Sequence, residues 1–284
     1  MPLVNCKEIV DSAYRAGYAV AQLNTNGGDY NLTRAILEAA TEGRSPVILG
    51  VYEKNAEYAG LKYIARNLSL LVEEFAPAIP VAIHLDHGSG PDVCAAALQA
   101  GFTSVMYDGS KSLIEENIAQ STTASGLARA AEATFEAELG QLLEGESDPD
   151  NPNLVDIDDV RELSGSVQLD MLAVAIGNSH GFYRGTPRLN MARLEEVRRA
   201  THVPLVLHGT TGLGDDQIRA CISLGMAKVN LGTVLRTSYV DYYRRGIDTL
   251  EHQGHPWRIS QDVKESLKTD CLQFLELVGS AGKA

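Results

Sequence analysis

The chain has 284 residues, 44% of them hydrophobic, 21% charged and 6% aromatic, with no apolar run near the roughly 20 residues a membrane helix needs. A formal net charge of −13 argues against nucleic acid or an anionic membrane as partner, since both demand clustered positive charge, yet a few local donors can still hold a phosphate. The start, Met1-Pro-Leu-Val-Asn-Cys-Lys7, lacks the basic and apolar segments of a leader, and the 4 cysteines form no Cys-x-x-Cys pair; a cytoplasmic protein with packed, reduced thiols is expected.

In chain order, short apolar, β-branched runs occur at residues 18–24, 46–52, 81–87, 104–109, 133–140, 171–181, 204–212 and 227–233. Amphipathic helical patterns lie between them, at 31–40, 90–100, 115–128, 189–201 and 215–224. Eight strand–helix units in about 250 residues are the signature of a closed (β/α)8 TIM barrel, expected here as one domain over residues 1–284. The alternative is an open doubly wound sheet, against which no Gly-x-Gly-x-x-Gly follows the first run. Residues 140–153 are polar, acidic and rich in turn formers, so a mobile loop is expected after the fifth strand. Past residue 233 the eighth helix runs through Tyr243, and Gly254-His-Pro-Trp-Arg258 separates it from a last helix around 263–278, a C-terminal helical extension.

A barrel brings the C-terminal ends of its strands to one mouth. The run Val81-Ala-Ile-His-Leu-Asp-His-Gly88 puts Asp86 and His87 there, and later strand ends add Asp108, Glu138, His180, His208 and Asn230. Three imidazoles from three strands can close on one zinc and leave a position open for substrate, the arrangement of a catalytic site. His84, inside the third strand, reads as support or core, while His202, His252 and His255 read as solvent-facing. Glycines beside the candidate ligands, in His180-Gly181, His208-Gly-Thr-Thr-Gly212 and Asn230-Leu-Gly-Thr233, together with the hydroxyls of Thr211 and Thr233, suggest backbone amides offered to a phosphate.

These motifs resemble one family along essentially the whole chain. Ala35-Ile-Leu-Glu-Ala-Ala40, Ser45-Pro-Val-Ile-Leu49, His84-Leu-Asp-His-Gly88, Gly101-Phe-Thr-Ser-Val-Met106, Glu136-Ala-Glu-Leu-Gly140, Ser179-His-Gly181, Pro204-Leu-Val-Leu-His-Gly209 and Gly279-Ser-Ala-Gly-Lys283 are similar to the class II, metal-dependent ketose-phosphate aldolases. The resemblance implies zinc on His87, His180 and His208, with Asp108 and Glu138 near a second or alternative metal position, and a second or monovalent cation beside the zinc. It implies Asp86 as the acid–base residue and Gly181, Gly209, Thr211, Asn230 and Thr233 around the phosphate of dihydroxyacetone phosphate, with Asn24 also in the substrate site. A further acid is implied on the loop after strand five, where Glu146 stands at the matching offset and Glu144 two residues before it. A Schiff-base lysine, the rival mechanism, has no well-placed candidate, since Lys228 begins the eighth strand.

The implied reaction is zinc-dependent, reversible cleavage of a ketose 1-phosphate to dihydroxyacetone phosphate and a three-carbon aldehyde. Four departures lie on the aldehyde half: Tyr52 where relatives carry serine, Gly232 where fructose-bisphosphate enzymes carry aspartate, Arg184 for lysine and Thr210 for a smaller residue. Arg258 resembles a tail arginine that reaches a neighbouring subunit's substrate, so a homodimer or homotetramer is implied. A fructose- or tagatose-bisphosphate-like sugar, or one with a carboxylate or sulfonate at its far end, fits these changes. The glycine-lysine ending resembles the inositol-catabolic branch acting on 6-phospho-5-dehydro-2-deoxygluconate. A different zinc-barrel enzyme such as a hydrolase, and a non-catalytic assisting subunit, are the other classes weighed; retention of Asp86 and the three histidines favours a catalyst.

Overall fold

A computed structural model of the chain describes residues 3–145, 153–248 and 255–284. Ten strands are described: β1 (Val20–Asn24), β2 (Val47–Tyr52), β3 (Val81–Gly88), β4 (Ser104–Tyr107), β5 (Thr134–Leu139), β6 (Leu143–Glu144), β7 (Met171–Val174), β8 (Ser179–His180), β9 (Leu205–Leu207) and β10 (Met226–Leu231). Eight of them close the expected parallel barrel in the order β1-β10-β9-β7-β5-β4-β3-β2, while β6 and β8 pair apart from it. The helices are α1 (Cys6–Ala16), α2 (Tyr30–Glu42), α3 (Glu53–Ala59), α4 (Leu61–Phe75), α5 (Pro91–Ala100), α6 (Ile114–Ala130), α7 (Ile157–Ser166), α8 (Met191–Ala200), α9 (Asp215–Ser223), α10 (Thr233–Asp248) and α11 (Pro256–Leu277).

The sixth expected run, 171–181, is not one strand. It leaves the barrel after Val174, turns through Gly177 at φ 94°, and resumes as β8. The turn is held by Asn178, whose Oδ1 accepts from Ile176 N at 2.8 Å while its Nδ2 donates to the His208 carbonyl at 2.9 Å. A continuous apolar run gives no sign of such a break. Residues 140–153 likewise hold an ordered piece, β6, which pairs with β8 in the register Glu144 to His180; residues 146–152, including Glu146, lie outside those described. The last helix starts at Pro256, seven positions before the expected 263, because proline at its first turn forfeits no helical hydrogen bond. His202 and His255 are exposed as expected, and His252 lies outside the described residues.

The N-terminal end of the barrel is sealed by α1. Cys6, Ile9, Val10 and Ala13 form its buried face and pack on Val20, Ile48, Ala82, Met106, Met171, Ala173, Val206 and Ala227 from the strands. Lys7 N donates to Thr134 Oγ1 at 3.0 Å and Val4 N to the Val81 carbonyl at 2.9 Å, which ties this segment across the strand starts. The helical extension α11 lies against α2 and α10, and Lys264 pairs with Glu38 at 2.6 Å. All four cysteines are free and buried.

Candidate active site

Interior positions of a strand recur every second residue, so His84 and Asp86 of β3 face the barrel interior and His87 in regular alternation would face away. The register of β3 against β4 shifts between Leu85 and Gly88, and His87 adopts φ 54°. That bulge turns His87 to the same mouth as Asp86. A non-glycine residue at positive φ within a strand is strained, and such strain is kept where surrounding contacts hold it.

Asp86 is buried between two amides. Asn24 Nδ2 donates to its Oδ2 at 2.9 Å, and Asn230 Nδ2 to its Oδ1 at 3.4 Å. Gln22 Nε2 donates to Asn24 Oδ1 at 2.9 Å, which orients that amide, and a Cβ at Gly50 would overlap both side chains. Only glycine leaves room for this pair. Burial alone would raise the Asp86 carboxyl, but His87, His208 and Lys228 hold it below the usual carboxylate range.

His87 and His208 face each other, with Nε2 of the first 3.1 Å from Nδ1 of the second. Each ring is fixed from behind by a carboxylate: His87 Nδ1 lies 3.0 Å from Asp108 Oδ2, and His208 Nε2 lies 3.0 Å from Glu136 Oε1. Burial would lower His87, but Asp86, Asp108 and Glu138 raise it to about 10. Burial lowers His208 against the pull of Glu136, and it lowers His180 to about 3 with His87 acting the same way. Glu138, 1% exposed, is raised well above its ordinary value by burial and by Asp108. Its Oε2 has no hydrogen-bond partner and lies 3.4 Å from His87 Nδ1.

This donor set fits a divalent cation. Asp86, His87 and His208 have donor atoms all within 4.8 Å of one another, and so do His87, Asp108 and Glu138. Two nitrogens 3.1 Å apart can share one ion at metal–nitrogen lengths of about 2.0–2.1 Å. Glu138 Oε2, buried beside them with no hydrogen-bond partner, is a further oxygen that such an ion could use. His180 belongs to neither set; its ring stands edge-on to His87, 4.9 Å between centroids, and 6.2 Å from His208.

The glycine-bearing loops meet on one side of this cluster. Gly209 has φ 68°, and a Cβ there would overlap the Ser179 carbonyl, so the chain after β9 passes directly under β8. Tyr183 Oη accepts from Ser179 N at 2.9 Å and donates to the Gly209 carbonyl at 2.8 Å. Thr210 Oγ1 donates to the Asn230 carbonyl at 2.5 Å, Thr211 is buried, and Thr233 is the first residue of α10. Gly181 is partly exposed at φ 78°.

The residues of the aldehyde half are more scattered. Tyr52 ends β2 in register with Asp86, its ring 6.3 Å from His87. Gly232 abuts Asn24, whose Nδ2 would lie 3.2 Å from an added Cβ. Arg184 is exposed beside Gly145, whose carbonyl accepts from its main-chain N at 2.9 Å. Arg258, at the start of α11, stacks over Trp257 at 5.3 Å and is exposed. Glu144 is exposed on β6 opposite His180.

Sequence reasoning gave no role to Gln22, Glu136, Asn178, Tyr183 or Lys228. The first, second and last were within reach: each stands two residues before Asn24, Glu138 or Asn230 on the same strand and so shares its face.

A family model described as fructose-bisphosphate aldolase class-II matches residues 4–283. A probable fructose-bisphosphate aldolase of Bacillus subtilis is 39% identical over 287 residues, covering 100% of both chains. A 6-phospho-5-dehydro-2-deoxy-D-gluconate aldolase of the same species is 38% identical over 291 residues, covering 100% of this chain and 98% of its own. The crystal structure of the YdjI aldolase from Escherichia coli K12 superposes with a TM-score of 0.88 at 30% identity, over 99% of both chains. A full-length family match, relatives at this identity and the same closed barrel agree: the chain belongs to the class II fructose-bisphosphate aldolase family.

Proposed function

We propose that this chain is a catalytically competent, zinc-dependent aldolase that reversibly cleaves a ketose 1-phosphate into dihydroxyacetone phosphate and a short aldehyde. The observation that carries the reading is Asp86, a buried carboxylate held by two oriented amides beside two imidazoles that face one another. An assisting subunit has no need of such a group.

His87, His208 and His180 would hold the ion, with Asp108 and Glu138 beside them. A divalent cation there supplies Lewis-acid stabilisation of the negative charge that carbon–carbon cleavage leaves on the donor half. Asp86, kept ionised by its surroundings, takes the proton of the C4 hydroxyl in cleavage and returns it to the aldehyde oxygen in condensation. Asn24 and Asn230 keep its oxygens from swinging away. The donor carbon freed by cleavage is reprotonated by Glu146, or by Glu144 on β6. Main-chain amides near Gly181 and Gly209, the hydroxyl of Thr211 and the α10 start at Thr233 receive the phosphate.

Tyr52, Arg184, Gly232 and, from a neighbouring subunit, Arg258 select the aldehyde half. Two relatives of nearly equal identity bear different substrate names, and both imply the same donor. A fructose- or tagatose-type bisphosphate presents a distal phosphate; 6-phospho-5-dehydro-2-deoxygluconate presents a carboxylate. Arginine forks suit either acid. The proposed setting is a cytoplasmic homodimer or homotetramer. A coupled assay for dihydroxyacetone phosphate, run with zinc on both bisphosphates and on the gluconate, is expected to show release from at least one. No release from any sinks the donor assignment, and a borohydride-trapped covalent adduct sinks the zinc reading.

A further inference from the structure

Among the described residues Lys228 is the only lysine in a barrel strand, and the proposed chemistry gives it no task. It is 0% exposed, with the buried polar side chains of Gln22, His84 and Glu136 also in the barrel strands. Its Nζ lies 2.9 Å from Glu136 Oε2 and donates to Asn230 Oδ1 at 2.9 Å. The other Glu136 oxygen is the one that lies 3.0 Å from His208 Nε2. Both partners of the ammonium, one by ion pair and one by hydrogen bond, therefore touch residues of the site.

The bonding roles follow from which groups can only donate and which can only accept. An ionised carboxylate only accepts, so His208 Nε2 must carry the proton, and Nδ1, the nitrogen 3.1 Å from His87 Nε2, keeps its lone pair. An ammonium only donates, so the Asn230 oxygen must face it, and the amide nitrogen turns to Asp86, lying 3.3 Å from each ring nitrogen of His208. The contrast with His87 explains why a lysine is needed. Asp108 is 25% exposed at its side chain and bonded by Ser110, whereas Glu136 is sealed at 0% and needs its counter-charge from the protein.

We propose that Lys228 is a positioning residue for both halves of the site. By presenting a donor-only ammonium to Glu136 and to Asn230, it fixes the His208 tautomer that leaves Nδ1 free for the ion and the Asn230 rotamer that steadies Asp86. This rests on the roles proposed above for His208 and Asp86.

The sharpest test is Glu136→Gln. With Lys228 in place, the ammonium draws the amide oxygen to itself, which points the amide NH2 at His208 Nε2. That nitrogen must then accept, and the ring proton moves to Nδ1. Zinc affinity, measured against a chromophoric chelator, is expected to fall about 10–100-fold, the usual cost of losing such a supporting carboxylate. Adding Lys228→Met in the Glu136→Gln background frees the amide to turn around, and the double variant is expected to regain about tenfold. A merely structural lysine predicts the opposite, since losing a second buried partner would weaken the site further. Lys228→Met alone strands a buried carboxylate and is expected to unfold, so it is used only in the neutral pair; urea melts check that both variants are folded.

Nitrogen NMR of labelled histidine in the zinc-free protein reads the tautomer directly: proton on Nε2 of His208 in the parent chain and on Nδ1 in Glu136→Gln. Parent-like zinc affinity in Glu136→Gln, a double variant no tighter than the single, or a parent His208 protonated on Nδ1 each overturns the proposal. If the parent chain binds no zinc at all, the function reading falls, and the tautomer still decides the part played by Lys228.

Discussion

The lower and upper halves of the barrel interior are built on the same strands from opposite materials. Below, Val20, Ile48, Ala82, Met106 and Val206 meet the apolar face of α1. Nearer the C-terminal ends of the strands, the interior carries Gln22 and Asn24, His84 and Asp86, Glu136 and Glu138, His208, and Lys228 and Asn230. The floor is held by burial, which is non-directional, so residues of similar volume can replace one another. The mouth is held by donors and acceptors with one workable arrangement, and each buried group depends on its neighbour. Stability and chemistry are thereby assigned to different ends of one sheet.

Breaking the upper half should abolish function while sparing the fold. Asp86→Asn is expected to lower kcat by about 10²–10⁴-fold, with bound zinc, measured by elemental analysis, unchanged. Retained turnover would strip Asp86 of its role. Removing the ion comes next. Chelator-stripped protein should lose activity and regain it with zinc, and its stability should acquire a pH dependence. In the metal-free protein His87 is raised from 6.5 to about 10, so its contribution is complete below pH 6.5 and lost as pH climbs through about 10. Urea midpoints of stripped protein are therefore expected to fall from pH 7 to 10 relative to zinc-loaded protein; parallel curves would count against this.

The lower half should behave in reverse. Ile48→Ala removes a fully buried floor side chain and is expected to cost about 2–5 kcal/mol in urea unfolding, with kcat/KM of the folded protein nearly unchanged. A large loss of kcat/KM at constant zinc content would show that floor packing and mouth chemistry are coupled. The smallest effect concerns the rim. Tyr52→Ser should shift KM for the aldehyde in condensation by about tenfold and leave KM for dihydroxyacetone phosphate in place; an equal change in both would move Tyr52 to the donor side.

Much of the barrel was legible because strand and helix periods alternate cleanly, and eight such units have few ways to pack. Where legibility failed, the cause is local and physical. The break at Gly177 was hidden inside a continuous apolar run, and the bulge at His87 contradicts the alternation that sequence reading relies on. The supporting residues Glu136 and Lys228 were in plain view on the right face, but their partners lie on other strands. The pair is separated by 92 positions and meets only when β5 and β10 lie across one interior.

By itself the sequence determined the barrel, the family and the set of chemical groups at the strand ends, because periodicity and residue type are local properties of the chain. Only the tertiary structure decided which of those groups touch. It separated His180 from the close sets, gave His208 to Glu136 and His87 to Asp108, and seated Asp86 between two amides. Hydrogen-bond roles are fixed by contact across the barrel, at distances of about 3 Å, and no spacing along the chain encodes them.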